Sequence, residues 1–332
     1  MGGLGLLGLF IPKKINLGEP SFFPLESDQQ GRVTDQTIYI YRSPSFDDDI
    51  LNIYWKDIVL PLTRIAISDD LDAYNRVWYQ VNGQGFAYSG SIQPVKTVLN
   101  EPVSSLPRSN TLVEVTVPFT DARSFPKMSA SVAYRFYYET VHWVDQVITD
   151  EENNTWYRVD DEKFMTHQYV LANHVRLVRD DELTMISANV PADQKRIEVH
   201  LKNQIVIAYE ADRPVFMTRA ATGGSFNNGI YETPYGRRIT FHKRPSVHMA
   251  AGDLASNGFD LPGVPWVCYM TESGVAFHGT FWHNDFGHPR SHGCINVPSQ
   301  AAKWIYRWTQ PVVPPEEKFR FLNYGTSVEV LD

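Results

Sequence analysis

Apolar and polar residues alternate in short runs along most of this chain. "TIYIYRSP" from Thr37, "IVLPLTRIAI" from Ile58, "TLVEVTVPF" from Thr111 and "ETVHWVDQVI" from Glu139 are short strand candidates that alternate over part of their length. That period matches a strand with one buried face. The pattern resumes in "IEVHLKNQIVIAYE" from Ile197, in a hairpin "VPWVCYMTESGVAFHG" turning at Glu272, Ser273 and Gly274, and in the closing "GTSVEVL". Only one stretch changes period. After Pro298, a residue suited to the first helical position, Ala301, Trp304, Ile305 and Trp308 follow at three- and four-residue spacing, which predicts a helix with one buried face. The pattern as a whole predicts a mainly β protein with one helix near its end.

The alternation also repeats. Asn-x-x-Trp-Tyr-x-Val occurs at Asn75–Val81 and again at Asn153–Val159, each copy followed by a polar turn and a second strand. Regular short strands with turn punctuation suit two small barrels of about 60 to 75 residues. These segments resemble tandem bacterial SH3-type domains, of the kind fused to cell-wall enzymes. The Pro-, Ser- and Asn-rich "KTVLNEPVSSLPRSN" reads as a linker, and "RDDELTMISANVPADQKR" as a second boundary. The expected plan is an N-terminal arm (1–30), a first SH3-like domain (31–97), a linker (98–110), a second SH3-like domain (111–180), another linker (181–194) and a C-terminal domain (195–332).

Composition narrows the classes. Of 332 residues, 43% are hydrophobic and 20% charged, enough apolar material for several folded cores. A formal net charge of −8 argues against a nucleic-acid partner, which calls for a concentrated basic face. No run of about 18 apolar residues offers a membrane span. The opening "MGGLGLLGLFIPKK" has the apolar character of an export signal without the basic residues that precede one. It reads equally as the remnant of a signal and as an apolar, membrane-proximal arm.

The chain has two cysteines, too few for a disulfide framework. Cys268, in an apolar strand, reads as a core residue, and a Cys268–Cys294 bridge stays open. Cys294 stands instead in "FGHPRSHGCINVPSQ". A thiol is a good nucleophile only as thiolate, and at its ordinary pKa, about 8.5, little is ionised at neutral pH. A nearby histidine can take the proton, and a helix N-terminus can lower the pKa. Gly293 lets the backbone approach a substrate closely, and consecutive amides in such a turn can stabilise an oxyanion. The residues alone leave the base open among His278, His283, His288 and His292. His278 ends a strand and is firmly placed, whereas His283 and His288 are expected to be exposed in a loop.

"HGTFWHNDFGHPRSHGCIN", from His278 to Asn296, resembles the signature of the L,D-transpeptidase catalytic domain. So do "ATG" at 221–223, and "ETPYGRRI" in place of that family's Thr-Pro-x-Gly segment. The likeness covers about residues 195–332. It implies Cys294 as nucleophile and His278 as its base, oriented by the carbonyl of Gly279. It implies that His292 supports the turn or the second half-reaction, and that the amides of Gly293 and Cys294 hold an oxyanion. Ser291 and Asn296 would brace the loop or touch substrate. Tyr235 stands where many relatives carry Thr, which leaves the lid contacts of the family in question. The implied reaction joins peptidoglycan stem peptides through 3→3 cross-links by way of a cysteine thioester, outside the cytoplasm and without metal or organic cofactor. Carbapenem-type lactams would acylate Cys294.

Rival readings keep their place. Water as acceptor makes the enzyme an L,D-carboxypeptidase, and a dead catalytic domain leaves a wall-binding protein held by its SH3-like domains. A metal site lacks the compact His-Glu-x-x-His or Cys-x-x-Cys ligand sets. Trp78 and Trp156 are read as core residues before glycan-binding ones. Arg237, Arg238, His242, Lys243 and Arg244 form a basic run that either holds anionic stem peptides or faces solvent. Arg290, next to the motif, is the better candidate for substrate.

Overall fold

The computed structural model describes residues 22–226, 229–252 and 258–332. The apolar opening of the chain lies outside them, up to residue 21. Strands β1 to β8 run over Phe22–Pro24, Gln30–Val33, Thr37–Tyr41, Ile50–Trp55, Val59–Ile67, Val77–Val81, Gly85–Tyr88 and Ile92–Val95. Strands β9 to β15 follow at Thr111–Val115, Phe119–Arg123, Val132–Tyr137, Val141–Thr149, Thr155–Asp161, Thr166–Leu171 and Val175–Leu177. The first sheet is ordered β4-β3-β7-β6-β5-β2-β8, with β1 added alongside β5, and the second β11-β10-β14-β13-β12-β9-β15. Position for position these are one topology used twice. Trp78 pairs with Ala66 and Trp156 with Ile148, each just beyond a bulge at the matching place in the long strand. Both tryptophans are buried, but alternation turns Tyr79 and Val81, and Tyr157 and Val159, into the main cores and the tryptophans to the opposite face, where Ala66 and Phe86 cover Trp78. The sheet therefore reaches into the segment set aside from sequence as an arm.

The C-terminal region is built on two further sheets. Strands β16 (Lys195–His200), β17 (Ile205–Glu210), β18 (Arg213–Arg219), β21 (Gly236–Ile239) and β27 (Ser327–Leu331) form one, ordered β18-β17-β16-β27-β21. Between them β19 (Ser225–Phe226) and β20 (Gly229–Ile230) make a short hairpin. Strands β22 (His242–Ala251), β23 (Phe259–Tyr269), β24 (Ala276–Gly279), β25 (Ile295–Val297) and β26 (Arg320–Phe321) form the other, ordered β25-β24-β23-β22-β26. Helix α1, Ser299–Trp308, starts directly after Pro298. Its Ala302, Ile305 and Trp308 join Ile197, Val206, Trp266 and Phe277 in the core.

The basic run around β21 and β22 does not gather into one surface. Arg237 is exposed and Arg238 half-buried, but Lys243 is 1% exposed. Its ammonium donates to the carbonyls of Tyr306 and Thr309 (2.8 Å) at the end of α1. Lys195 does the same for Trp308 O at 3.3 Å. Two buried cations thus meet the negative end of the helix, where the last carbonyls lack intrahelical donors. Arg244 pairs with Glu162 of β13–β14 instead.

Candidate active site

Cys294 immediately precedes β25, which lies parallel to β24 with His278 opposite Asn296. Strand alternation turns Cys294 and Asn296 to the same side. The sulfur of Cys294 is half-buried, 3.7 Å from the carbonyl of Gly274, and accepts from the amide of Ala276, two residues before His278. Burial pushes the thiol pKa up and the Ala276 amide only partly offsets it. The helix was expected to lower it, but α1 begins five residues on and burial prevails. Cys268 is also a free thiol, fully buried and pushed up to about 11 by burial.

His278 is 2% exposed, and its Nδ1 lies 3.0 Å from the carbonyl of Gly279. A carbonyl only accepts, so Nδ1 carries the proton and Nε2 keeps a lone pair. Burial lowers the His278 pKa to about 4, leaving it neutral at physiological pH. The thiol and the imidazole are therefore both neutral at rest, with His278 in the tautomer whose Nε2 can accept a proton. Gly279 has no room for a side chain: a Cβ would lie 2.7 Å from Pro265 and 3.0 Å from Ser299.

The turn that carries the cysteine is tied from within. Gly293 N–H donates to Ser291 Oγ at 3.1 Å, and that hydroxyl donates to Cys294 O. The Gly293 amide is thus already engaged, so of the two amides assigned to an oxyanion only that of Cys294 can serve without breaking the turn. Gly293 holds φ of 109°, a conformation that strains any other residue. Thr233, missed in the sequence reading, holds its other side: the hydroxyl donates to Gly293 O (2.8 Å) and accepts from Gly223 N (2.9 Å). It is the Thr of "ETPYGRRI", so the segment was visible but its task was not. The "ATG" strip is zipped to the same turn, with Thr222 O accepting from the amides of Arg290 and Ser291.

The remaining candidates separate. His292 is exposed, its ring stacked on Phe226 at 4.9 Å and edge-on to Tyr231 at 4.5 Å. Tyr235 is 52% exposed and not part of this cluster. Arg290 is not free: it bonds Asp285 at 3.2 Å and Asp35, in the first sheet's region, at 3.5 Å. His288 is exposed as expected, but His283 is 1% exposed. Its Nδ1 accepts from Asp285 N–H, and its Nε2 lies 3.0 Å from the Asn296 carboxamide. Burial drops its pKa to about 3. Asp285, also missed, anchors the loop. Burial opposes its ionisation, but the Tyr88 hydroxyl, His288 and Arg290 outweigh that and hold its carboxyl below the usual range. Among the described residues no three His, Cys, Asp or Glu side chains converge to hold a metal ion.

Residues 194–330 match the YkuD family model, the L,D-transpeptidase catalytic domain. A comparison with curated proteins found no match. Among solved structures, this chain is similar to a cysteine-to-serine mutant of the L,D-transpeptidase of Enterococcus faecium, at 22% identity and TM-score 0.32, over 42% of this chain and 50% of that one. The chain thus spans about half the length of that relative. It is similar to the E. faecium catalytic domain acylated by ertapenem at 21% identity and TM-score 0.31, over 42% of this chain and 97% of that one. An L,D-transpeptidase from Mycobacterium smegmatis aligns at 16% identity and TM-score 0.34, over 77% of this chain and 90% of that one. Outside the matched domain, no helix among the described residues is long and apolar enough to cross a membrane.

Proposed function

We propose that this protein is a peptidoglycan L,D-transpeptidase that makes 3→3 cross-links outside the cytoplasm. The observation that carries this reading is a neutral His278, its Nδ1 committed to Gly279, on the strand that lies beside β25 directly after the half-buried Cys294. Because the thiol pKa is raised, attack and deprotonation go together. Cys294 Sγ forms a bond to the carbonyl carbon before the terminal D-alanine while His278 Nε2 takes the thiol proton. The amide of Cys294 receives the developing oxyanion. His278 then gives its proton to the departing D-alanine nitrogen as the C–N bond breaks, leaving a thioester. The side-chain amine of a second stem peptide attacks that thioester, loses a proton to His278, and returns Cys294 as a thiol. Ser291, Thr233 and Gly293 hold the turn through both halves, and the rings around His292 border the approach. A carbapenem-type lactam would acylate Cys294 by the same first step. The two N-terminal sheets, read as SH3-like domains of 31–97 and 111–180, are proposed to hold the wall.

The test is mass spectrometry of products from a purified disaccharide-tetrapeptide. A dimer lacking one D-alanine, formed by the wild-type chain and not by Cys294→Ala, supports the transpeptidase. Tripeptide without dimer moves the assignment to an L,D-carboxypeptidase, and no turnover across several stem types to a wall-binding protein. The acid limb of kcat/KM should fall near pH 4, where His278 protonates, rather than near the ordinary histidine value. A limb near 6.5 removes His278 as the base.

A further inference from the structure

The two N-terminal sheets and the C-terminal domain together line a cavity of about 230 Å³. Arg32 and Lys56 come from β2 and the turn after β4, Tyr134 and Arg135 from β11, and Asp260 and Trp282 from the C-terminal domain. The cavity lies against the candidate active site at two points. The Trp282 ring is 5.7 Å from the His278 ring. Asp260 follows Phe259, whose ring is 6.3 Å from that of His292.

Its charged groups differ in what they have left to offer. Arg32 is 1% exposed and fully committed: Nε donates to Gln93 at 3.1 Å, Nη1 to Asp57 at 3.0 Å and Nη2 to Phe281 O at 2.6 Å. Asp57, behind the lining, receives Arg32 on one oxygen and Arg135 (3.1 Å) on the other. Asp260, the one carboxylate among the lining residues described, is paired with His248 on one oxygen and receives the Tyr134 hydroxyl (3.2 Å) on the other. Two charged donors remain. Arg135 gives Nε to Asp121 (2.8 Å) and Nη1 to Asp57, which leaves Nη2 without a partner on a side chain 36% exposed. Lys56 is exposed, and no side chain among the described residues holds its ammonium. Unlike Arg32, both are within reach of a molecule in the cavity.

A carboxylate offers two oxygens to such N–H donors and forms charge-assisted bonds with them. The volume falls below the roughly 300 to 1,000 Å³ of a site that takes a whole ligand, so the cavity suits one acidic end of a longer molecule. We propose that it holds a carboxylate of a stem peptide, through Lys56 and Arg135, while the rest of that peptide passes Trp282 to reach His278 and Cys294. The identity of the peptide rests on the peptidoglycan reading above. Both stems in that reaction carry carboxylates, the one that loses D-alanine and the one whose amine attacks, and the experiment tells them apart.

Calorimetry of the full chain carrying Cys294→Ala, with the tetrapeptide L-Ala-γ-D-Glu-diaminopimelyl-D-Ala, should give saturable binding. Adding Lys56→Ala should weaken it about tenfold, the size of one charge-assisted hydrogen bond at an exposed position. The same peptide with its carboxylates converted to amides should bind both chains alike, and Lys56→Arg should keep the affinity for the acid. The thermal midpoint should hold, because the Lys56 ammonium has no partner to lose; if Lys56→Ala does not fold, Lys56→Gln takes its place. Unchanged affinity for the acid in the variant, or an equal loss for acid and amide, overturns the proposal. With Cys294 intact, a raised KM and unchanged kcat for D-alanine release assign the carboxylate to the first stem. Unchanged release with less dimer at low peptide concentration assigns it to the second. If neither moves, the carboxylate site falls and the reaction stands. If no chain releases D-alanine while Lys56-dependent binding persists, the reaction falls and the site stands.

Discussion

The two N-terminal sheets share one strand order and carry the same Trp-Tyr-x-Val strand, yet they meet the C-terminal domain in opposite ways. The first sheet grips the loop that leads to Cys294. Arg32 donates to Phe281 O at 2.6 Å, Asn284 N–H to Gly90 O at 2.9 Å, and Tyr88 and Asn75 both reach Asp285. A Cβ on Gly90 would lie 2.8 Å from Asp285 Oδ1, so the contact depends on a missing side chain. The second sheet grips β22 and β23 instead, through His248 set between Asp161 and Asp260, and leaves a cavity of about 330 Å³ beside them. One topology has been turned into a brace for a loop in the first copy and a wall in the second. Topology is set by strand pairing; use is set by the few side chains at each contact.

The largest expected effect comes from breaking the brace. Asp285→Ala strips Arg290 and Tyr88 of a buried partner and should cost about 3 to 5 kcal/mol in urea unfolding. Loosening the loop should also lower kcat/KM for D-alanine release by on the order of 10²-fold. Loss of stability with unchanged kinetics would detach the loop from the chemistry. Asp161→Ala, on the other sheet, removes a partner of His248 and should cost about 3 kcal/mol. Its kcat/KM should stay near wild type, and a matching kinetic collapse would erase the distinction between the two copies.

A smaller effect separates the contacts by pH. His248 is half-hidden by burial, which opposes its charge, but bonds to Asp161 and Asp260 outweigh that and raise its pKa. The stability it contributes is therefore fully present below the unfolded value, about 6.5, and is lost as pH rises through the folded value. His283 is the reverse. With its folded pKa near 3, the unfolded chain takes up the proton first, so its contribution weakens as pH falls below about 6.5. The stability deficit of His248→Phe should thus shrink as pH rises, and that of His283→Phe should shrink as pH falls. Parallel curves from chemical unfolding would contradict the assignment of charge at the two contacts. The smallest effect belongs to the shared strand. Trp156→Phe loses the indole bond to Asp150 (2.9 Å) and should cost about 1 kcal/mol, measurable as a shift of the thermal midpoint.

Much of this was legible in the residues. The period of two named the strands, the repeat announced two copies of one sheet, and the change of period after Pro298 placed α1 within a residue of Ser299. The Ser-His-Gly-Cys turn and His278 marked the candidate site. What failed did so for a common reason. His283 was expected in water because it sits in a polar loop, but that loop is covered by the first sheet, some two hundred residues earlier in the chain. Lys243 was counted with its basic neighbours, but the carbonyls that hold it belong to α1. Arg290 was read as free for substrate, and Asp35 and Asp285 claim it. Thr233 stood in a quoted segment with nothing to show that its hydroxyl would reach Gly293.

By itself, then, the sequence determined periodicity, turn chemistry and the residue types of the site, because these depend on neighbours within a few positions. Only the tertiary structure decided which groups are buried, which charges are matched and which polar atoms are left without a partner. Those properties depend on what arrives from distant parts of the chain. They set the pKa of His278 and Cys294 and the hold on the Asp285 loop.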